Sequence, residues 1–368
     1  MAHMKIGVPR EIKNGETRVA MTPDLCRRLV GLGCEVLVER GAGRTAGFQD
    51  AEYRKAGARV ATTAAGVWKN AELVLKVKEP LASEYRFLHE ELTLFTYLHL
   101  AAAPVLAREL LRRRVRGIAY ETVESADHAL PLLKPMSQIA GRLAVQVAAY
   151  FLQSPNGGSG VLLGGVPGTA PGRVTILGAG NSGAHACHMA AGMGGNVTVL
   201  DVDARKLEQL DREHHGRVVT LISNPHNVAE LVADSDVVIG AVLIPGGRAP
   251  VVVERRHIAR MRPGSVVVDI AIDQGGCIAT IRATSHEKPT YRLNDVVHYA
   301  VPNMPALVGR TSTIALTQAT EPYVVMLAEQ GIEEAISADA GLAAGVNTRD
   351  GRLINAAVAQ ALEGLTSV

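Results

Sequence analysis

The chain has 368 residues, 47% of them apolar, with 38 Lys+Arg against 36 Asp+Glu for a formal net charge of +2. This composition excludes a disordered chain and gives no general electrostatic pull toward nucleic acid or an anionic membrane. At roughly 100 to 200 residues per domain the length predicts about two domains with real cores. The four cysteines form no CxxC pair and show no metal-ligand spacing, which points to a reducing cytoplasm and to no metal.

Met1-Ala2-His3-Met4 reads as a cloning remnant before a natural start at Met4, with no signal peptide after it. Apolar runs at residues 5–8, 35–39, 72–78, 93–98 and 117–121 predict strands, and helical patterns fall near 24–32 and 104–113. This alternation predicts the α/β class, with a parallel sheet wound by crossover helices. Over residues 137–152, Ile139, Leu143, Val147 and Phe151 recur every four positions beside Ala140, Ala144, Ala148 and Leu152, predicting a largely buried helix. The run SPNGGSG stops it. Strands at 173–177, 196–200, 218–222, 236–242, 265–273 and 296–301 predict a second doubly wound, nucleotide-binding sheet. After Asn303 the chain reads as helical, longest over 311–330. The charge-free stretches 143–172 and 174–200 are broken by glycines and polar residues, so neither supplies the ~20 apolar residues of a membrane span.

Gly178-Ala179-Gly180-Asn181-Ser182-Gly183 directly follows the strand VTIL and precedes a helical pattern, which is GxGxxG in its dinucleotide context. Gly178 permits the tight turn, Gly180 lets backbone N–H groups approach a pyrophosphate, and Gly183 allows close helix packing. Asp201 ends the next strand, where a carboxylate binds ribose hydroxyls and repels a 2′-phosphate, favouring NAD; the cations Arg205 and Lys206 keep NADP open.

Four residues carry candidate chemistry. Arg18, in NGETRVAMTP, and Lys78, ending ELVLKVKEP, are cations suited to a carboxylate. His99 follows the apolar run TLFTYL at a strand's carboxyl end, where a histidine is placed for proton transfer. Asp273 ends SVVVDIAID; Asp269 shares its face by period two, and Asp273 is preferred only for its place at the strand mouth. The arginines Arg108, Arg112, Arg113, Arg114 and Arg116 close a helix and read as a solvated face, with no interleaved aromatics or base-reading motif.

RVAMTP, LKVKEP, FTYLHLA, ALPLLKPMS, GGVPG, IGAVLIPG, VDIAIDQGG and NMP, in this order over nearly the whole chain, resemble the L-alanine dehydrogenase family. The resemblance implies reversible oxidative deamination of L-alanine to pyruvate and ammonia with NAD, in a cytoplasmic homohexamer. It also implies two Rossmann-like domains, the NAD-binding one (132–309) inserted in a discontinuous catalytic domain (4–131 and a helical return, 310–368). Carried over by motif, His99 and Asp273 are the catalytic residues, and Arg18, Lys78, Tyr97, Met136, Gln274 and Asn303 bind substrate. The implied cofactor contacts are Ser137 and the glycine turn (Gly178, Gly180, Asn181, Ser182, Gly183); Asp201, Lys206 and Ser223; Val242 and Leu243; Ile270, Ala271, Ile272 and Asp273; Arg282; and Val301, Pro302, Asn303 and Met304.

The chain departs from the family pattern at Gln138 (an acid after the serine), at Pro302 in AVPNMP (CVANMP) and at Gln318 in ALTQAT (ALTNAT). None removes a catalytic residue, but Pro302 fixes a backbone dihedral and removes an N–H near the nicotinamide region. The alternatives are a dehydrogenase of another small 2-amino acid, a soluble transhydrogenase component, and an inactive NAD-binding homologue.

Overall fold

The computed structural model of the chain describes residues 4–242 and 249–362. It divides into two compact units, one from residues 4–136 and 306–362, the other from Ser137–Pro305.

In the first unit, β1 (Lys5–Val8), β2 (Glu35–Glu39), β3 (Arg59–Ala61), β4 (Leu73–Leu75), β5 (Thr93–Thr96) and β6 (Arg116–Ala119) run parallel in the order β6-β5-β4-β1-β2-β3. The apolar runs of β4 and β5 are buried on both faces, as a parallel sheet covered by helices requires. Pro23–Gly31 is a helix because Thr22 caps it, its side chain accepting from Leu25 N–H, Pro23 opens the first turn, and Leu25, Cys26 and Leu29 form one buried stripe. Trp68, fully buried, centres a core with Val74, Leu94, Leu98, Leu106 and Leu110.

In the second unit, β7 (Arg173–Leu177), β8 (Asn196–Asp201), β9 (Val219–Ile222), β10 (Val237–Gly240), β11 (Val266–Asp269), β12 (Thr290–Leu293) and β13 (Val296–Tyr299) form a sheet in the order β12-β13-β11-β10-β7-β8-β9. All its pairs are parallel except β12 with β13. Both sheets are therefore doubly wound, with order reversing between β1 and β4 and between β7 and β10; ligands of such sheets bind beyond the strand ends at that reversal.

Several expectations change in detail. The helix predicted over 137–152 is Lys134–Phe151, and the one predicted over 311–330 is Gly309–Gln330. The tail, read as helical, also adds β14 (Val346–Arg349) and β15 (Arg352–Leu353), both antiparallel, to the edge at β6. These strands are too short to show period two. Their turn was readable, since Asp350 and Gly351 take φ of 50° and 75°, the paired left-handed conformations of an Asp-Gly hairpin. Asn294 and Asp295 (φ 51° and 58°) make the same turn between β12 and β13, a hairpin whose first strand escaped the periodicity. The helices Asp50–Lys55 and Ala64–Trp68 and strand β3 also went unpredicted, each being six residues or fewer.

Candidate active site

Arg18 lies on the segment between β1 and the Pro23–Gly31 helix, clamped by the Gly309–Gln330 helix. Val19 N–H donates to Thr313 Oγ1 at 3.1 Å, Thr17 Oγ1–H donates to Ala306 O, and Gly309 packs so closely that an added Cβ would lie 2.3 Å from Thr17 Oγ1. The Arg18 side chain is 2% exposed. Its Nε and NH2 donate to Glu16 Oε1 and Oε2 at 2.7 and 2.6 Å, and NH1 lies 3.1 Å from Met136 Sδ. Glu16 thus fixes the guanidinium plane, a role the sequence reading did not assign.

Past the end of β4 the two nearby lysines diverge. Lys76 is buried between Glu11 (3.1 Å) and Glu84 (3.0 Å), a structural triad. Lys78 is half-buried, its Nζ 5.9 Å from the centre of the Tyr97 ring. Tyr97 is buried, donates its hydroxyl to Leu132 O at 2.6 Å, and stacks on His99 with ring centres 5.8 Å apart. Burial pushes its phenol up, with Arg18 pulling the other way.

His99 follows β5 in the left-handed region, φ 48°, unusual for a residue with a side chain. Its N–H donates to Glu121 Oε1 at 2.6 Å, which holds the backbone there. The imidazole is 44% exposed, with Nδ1 3.7 Å from Glu79 Oε2, while Lys13 pairs with Glu79 Oε1. The structure thus brings Arg18, Met136, Lys78, Tyr97 and His99 together at the strand ends of the first unit, along with Glu16, Glu79 and Glu121. The only signals for these three acids were adjacency to Arg18 and Lys78 in NGETR and KVKEP and a place just past a strand end.

In the second unit the glycine turn has the expected form. Gly178 takes φ 100°, with Ala241 O 2.7 Å from where its Cβ would sit, and a Cβ added at Gly183 would lie 1.8 Å from Gly178 O. Gly180 faces open space, with nothing within 4 Å of its Cβ position. Asn181 and Ser182 open the helix Asn181–Gly192. The Asp201 carboxylate accepts from Ala179 N–H (2.6 Å) and Asp203 N–H (2.8 Å), so it braces the turn itself. Ser223 N–H donates to Asp201 O at 2.9 Å. Arg205 is forked on Asp203, and Lys206 is exposed. Ser137 and Val242 are half-buried; Leu243 lies outside the described residues.

The strand predicted over 265–273 ends at Asp269, whose side chain turns the chain. Fully buried, Asp269 accepts from the N–H groups of Ala271 (2.9 Å), Cys277 (2.8 Å) and Ile278 (3.2 Å). Burial lifts its pKa to about 6 against those donors. The two acids therefore do not share a strand face: Asp269 anchors the turn, and Asp273 stands exposed on it, accepting from Asn303 N–H at 3.4 Å. Of the other residues on this turn, Ala271 is buried and Ile270 and Ile272 are half-buried, while Gln274 Oε1 is buried without a hydrogen-bond partner. Val301 and Met304 are buried, Pro302 and Asn303 half-buried, and Asn303 takes φ 58°. Arg282 stacks on Tyr291 at 4.3 Å.

The open Gly180, the helix N-terminus beside it and the acid ending β8 fit the pyrophosphate and ribose of a dinucleotide. Among the described residues, no helix is long and apolar enough to cross a membrane.

Family models described as "Alanine dehydrogenase/PNT, N-terminal domain" and "Alanine dehydrogenase/PNT, C-terminal domain" match residues 7–140 and 144–356. The chain is 52% identical over 361 residues to alanine dehydrogenase 2 of Staphylococcus aureus (strain USA300), covering 98% of this chain and 97% of that one. It is 52% identical over 358 residues to the alanine dehydrogenase of Halomonas elongata, covering 97% and 96%. A solved L-alanine dehydrogenase superposes with a TM-score of 0.96 at 50% identity, covering 99% of this chain and 100% of the other. Matched in both domains and over nearly its whole length, this chain belongs to the alanine dehydrogenase/PNT family.

Proposed function

We propose that this protein catalyses the reversible NAD-dependent oxidative deamination of L-alanine to pyruvate and ammonia. The observation that carries this reading is the strand-end cluster of the first unit, where a buried, plane-locked Arg18 lies with Lys78, Tyr97 and an accessible His99. Such a set suits a small molecule bearing a carboxylate next to a group that exchanges protons.

Arg18 binds the substrate carboxylate, its orientation set by Glu16, and Lys78 adds a point charge. Met136 and Tyr97 bound the side of a small side chain. His99 takes a proton from the substrate ammonium, freeing the lone pair that forms the C=N bond as the Cα hydrogen leaves with its electron pair. Bound NAD supplies the acceptor for that hydride. Asp273 assists addition of water to the imine carbon, and His99 returns a proton to the nitrogen as the carbinolamine collapses to pyruvate and ammonia. Gln274 and Asn303 flank Asp273 and contact the substrate. Gly180 and the N-terminus of the helix that follows it would hold the dinucleotide pyrophosphate, and Asp201 would favour NAD over NADP. Ser137, Lys206, Ser223, Val242, Ile270 to Ile272, Arg282 and Val301 to Met304 complete that contact set.

The test is formation of reduced nicotinamide with NAD or NADP across a panel of amino acids, L-alanine and L-serine among them, and the reverse with pyruvate, glyoxylate and ammonium. Turnover of L-alanine with NAD alone is expected. Tight NAD binding without alanine turnover would overturn the reading and move the search to other 2-amino acids, with Gln138 and Pro302 as the departures to examine.

A further inference from the structure

We propose that Glu79 is a positioning residue for His99: its Oε2 carboxylate oxygen engages the His99 Nδ1 edge, fixes which ring nitrogen carries the proton, and leaves Nε2 to exchange protons with the substrate. The proposal rests on the reading of His99 as the proton-transfer residue.

Two constraints set the position of this ring. The backbone is held in the left-handed region, φ 48°, by the 2.6 Å hydrogen bond from His99 N–H to Glu121 Oε1. The ring plane is set by stacking on Tyr97, with an interplanar angle of 26°. These two leave Nδ1 facing Glu79 Oε2 at 3.7 Å.

The Glu79 carboxylate divides its work. Oε1 pairs with Lys13, whereas Oε2 is buried and makes no hydrogen bond. A buried carboxylate oxygen without a donor is costly, and a carboxylate kept only for Lys13 would have no reason to turn its second oxygen toward an imidazole. The separation exceeds a hydrogen bond, and catalytic contacts of this kind tighten when substrate binds. Burial pushes the Glu79 carboxyl up, but His99 and Lys13 outweigh it and bring it down to about 2, so Glu79 is an anion at any working pH. Among the described residues, the charged groups near this ring include Glu121, which is committed to the Leu98 and His99 N–H groups, Lys13 behind Glu79, and Lys78 above Tyr97.

An anion at Nδ1 does two things for a base acting through Nε2. It selects the tautomer with Nδ1–H and a free Nε2 lone pair, and it stabilises the imidazolium formed when Nε2 takes the substrate proton. Glu79 touches neither substrate nor cofactor in this scheme and acts through His99.

The experiment compares wild type, Glu79→Gln, Glu79→Asp and His99→Asn as full-length enzyme, reading kcat and kcat/KM for L-alanine from pH 6 to 10 alongside NAD affinity by fluorescence. The acidic limb of kcat/KM reports protonation of the base. With the anion gone, Glu79→Gln is expected to move that limb about one pH unit lower and to cut kcat roughly 10- to 100-fold, with NAD affinity unchanged. Glu79→Asp keeps the charge but withdraws it by one methylene, so its limb should fall between the two; it also carries the test if the Gln variant does not fold. A merely structural role would lower the amount of active enzyme without moving the limb. A Glu79 variant with the wild-type limb position overturns the proposal. Full alanine turnover by His99→Asn would instead sink the underlying assignment of His99.

Discussion

Glu16 holds Arg18 in a two-point ion pair, 2.7 Å at Nε and 2.6 Å at NH2, with the glutamate side chain fully buried and the arginine side chain 2% exposed. Desolvation works against this charge, and the carboxylate beside it more than offsets the penalty, so the guanidinium stays firmly cationic. Removing one partner of a buried pair strands the other. Glu16→Ala is therefore expected to lower stability by about 3–5 kcal/mol, read as the urea midpoint, and to raise the KM for L-alanine. A variant with wild-type midpoint and KM would mean that Glu16 neither supports nor orients Arg18.

The glycine turn offers a contrast between two substitutions. A Cβ at Gly183 would lie 1.8 Å from Gly178 O, so Gly183→Ala must displace backbone and should unfold the turn, with a clear drop in melting temperature. Gly180 has φ −71° and open space around its Cβ position, so Gly180→Ala should melt as wild type does. Its methyl group would still occupy the approach to the pyrophosphate, and NAD affinity should fall at least tenfold by titration calorimetry. Unchanged affinity in Gly180→Ala would remove the turn from the cofactor site.

His99→Ala should abolish alanine turnover while leaving NAD affinity within about twofold, because the imidazole lies in the first unit and the glycine turn in the second. Residual turnover within tenfold of wild type would take the proton-transfer role away from His99.

Asp269 sets a pH signature. Its folded-state pKa of about 6 stands above the ordinary 3.8, because burial disfavours the anion more than its backbone donors favour it. The folded protein therefore holds this proton more tightly than the unfolded chain does. The resulting stability is fully present below pH 3.8, declines as pH rises toward 6, and is gone above that. The shift corresponds to about 3 kcal/mol. Denaturant unfolding of wild type and Asp269→Asn between pH 4 and 7 should show wild type losing stability across this window relative to the variant. Parallel curves would show that Asp269 does not titrate there.

Much of the architecture was legible because it is written locally. β1, β2 and β7 have the predicted limits, since each is a short apolar run closed by a turn. The glycine turn was equally plain, as its function depends on backbone geometry that only glycine at set spacing permits. Where local signals weakened, so did the reading. The hairpin at Asp350-Gly351 had a turn signature but strands of four and two residues, and its placement beside β6 depends on Thr348 Oγ1 accepting from Gly117 N–H and donating to Val115 O across more than 230 positions of chain.

The sequence by itself determined the α/β class and the glycine turn, because spacing and residue type carry that information, and it singled out Arg18, Lys78, His99 and Asp273 as candidates through their places at strand ends and the resemblance of their motifs. Only the tertiary structure decided how those groups are held. It placed Glu16 on Arg18, Glu79 and Glu121 around His99, and Lys76 rather than Lys78 in a buried triad, and it made Asp269 the anchor of the turn on which Asp273 stands. Such pairings follow from which charges lose their water together when distant strand ends meet, and no periodicity along the chain encodes that meeting.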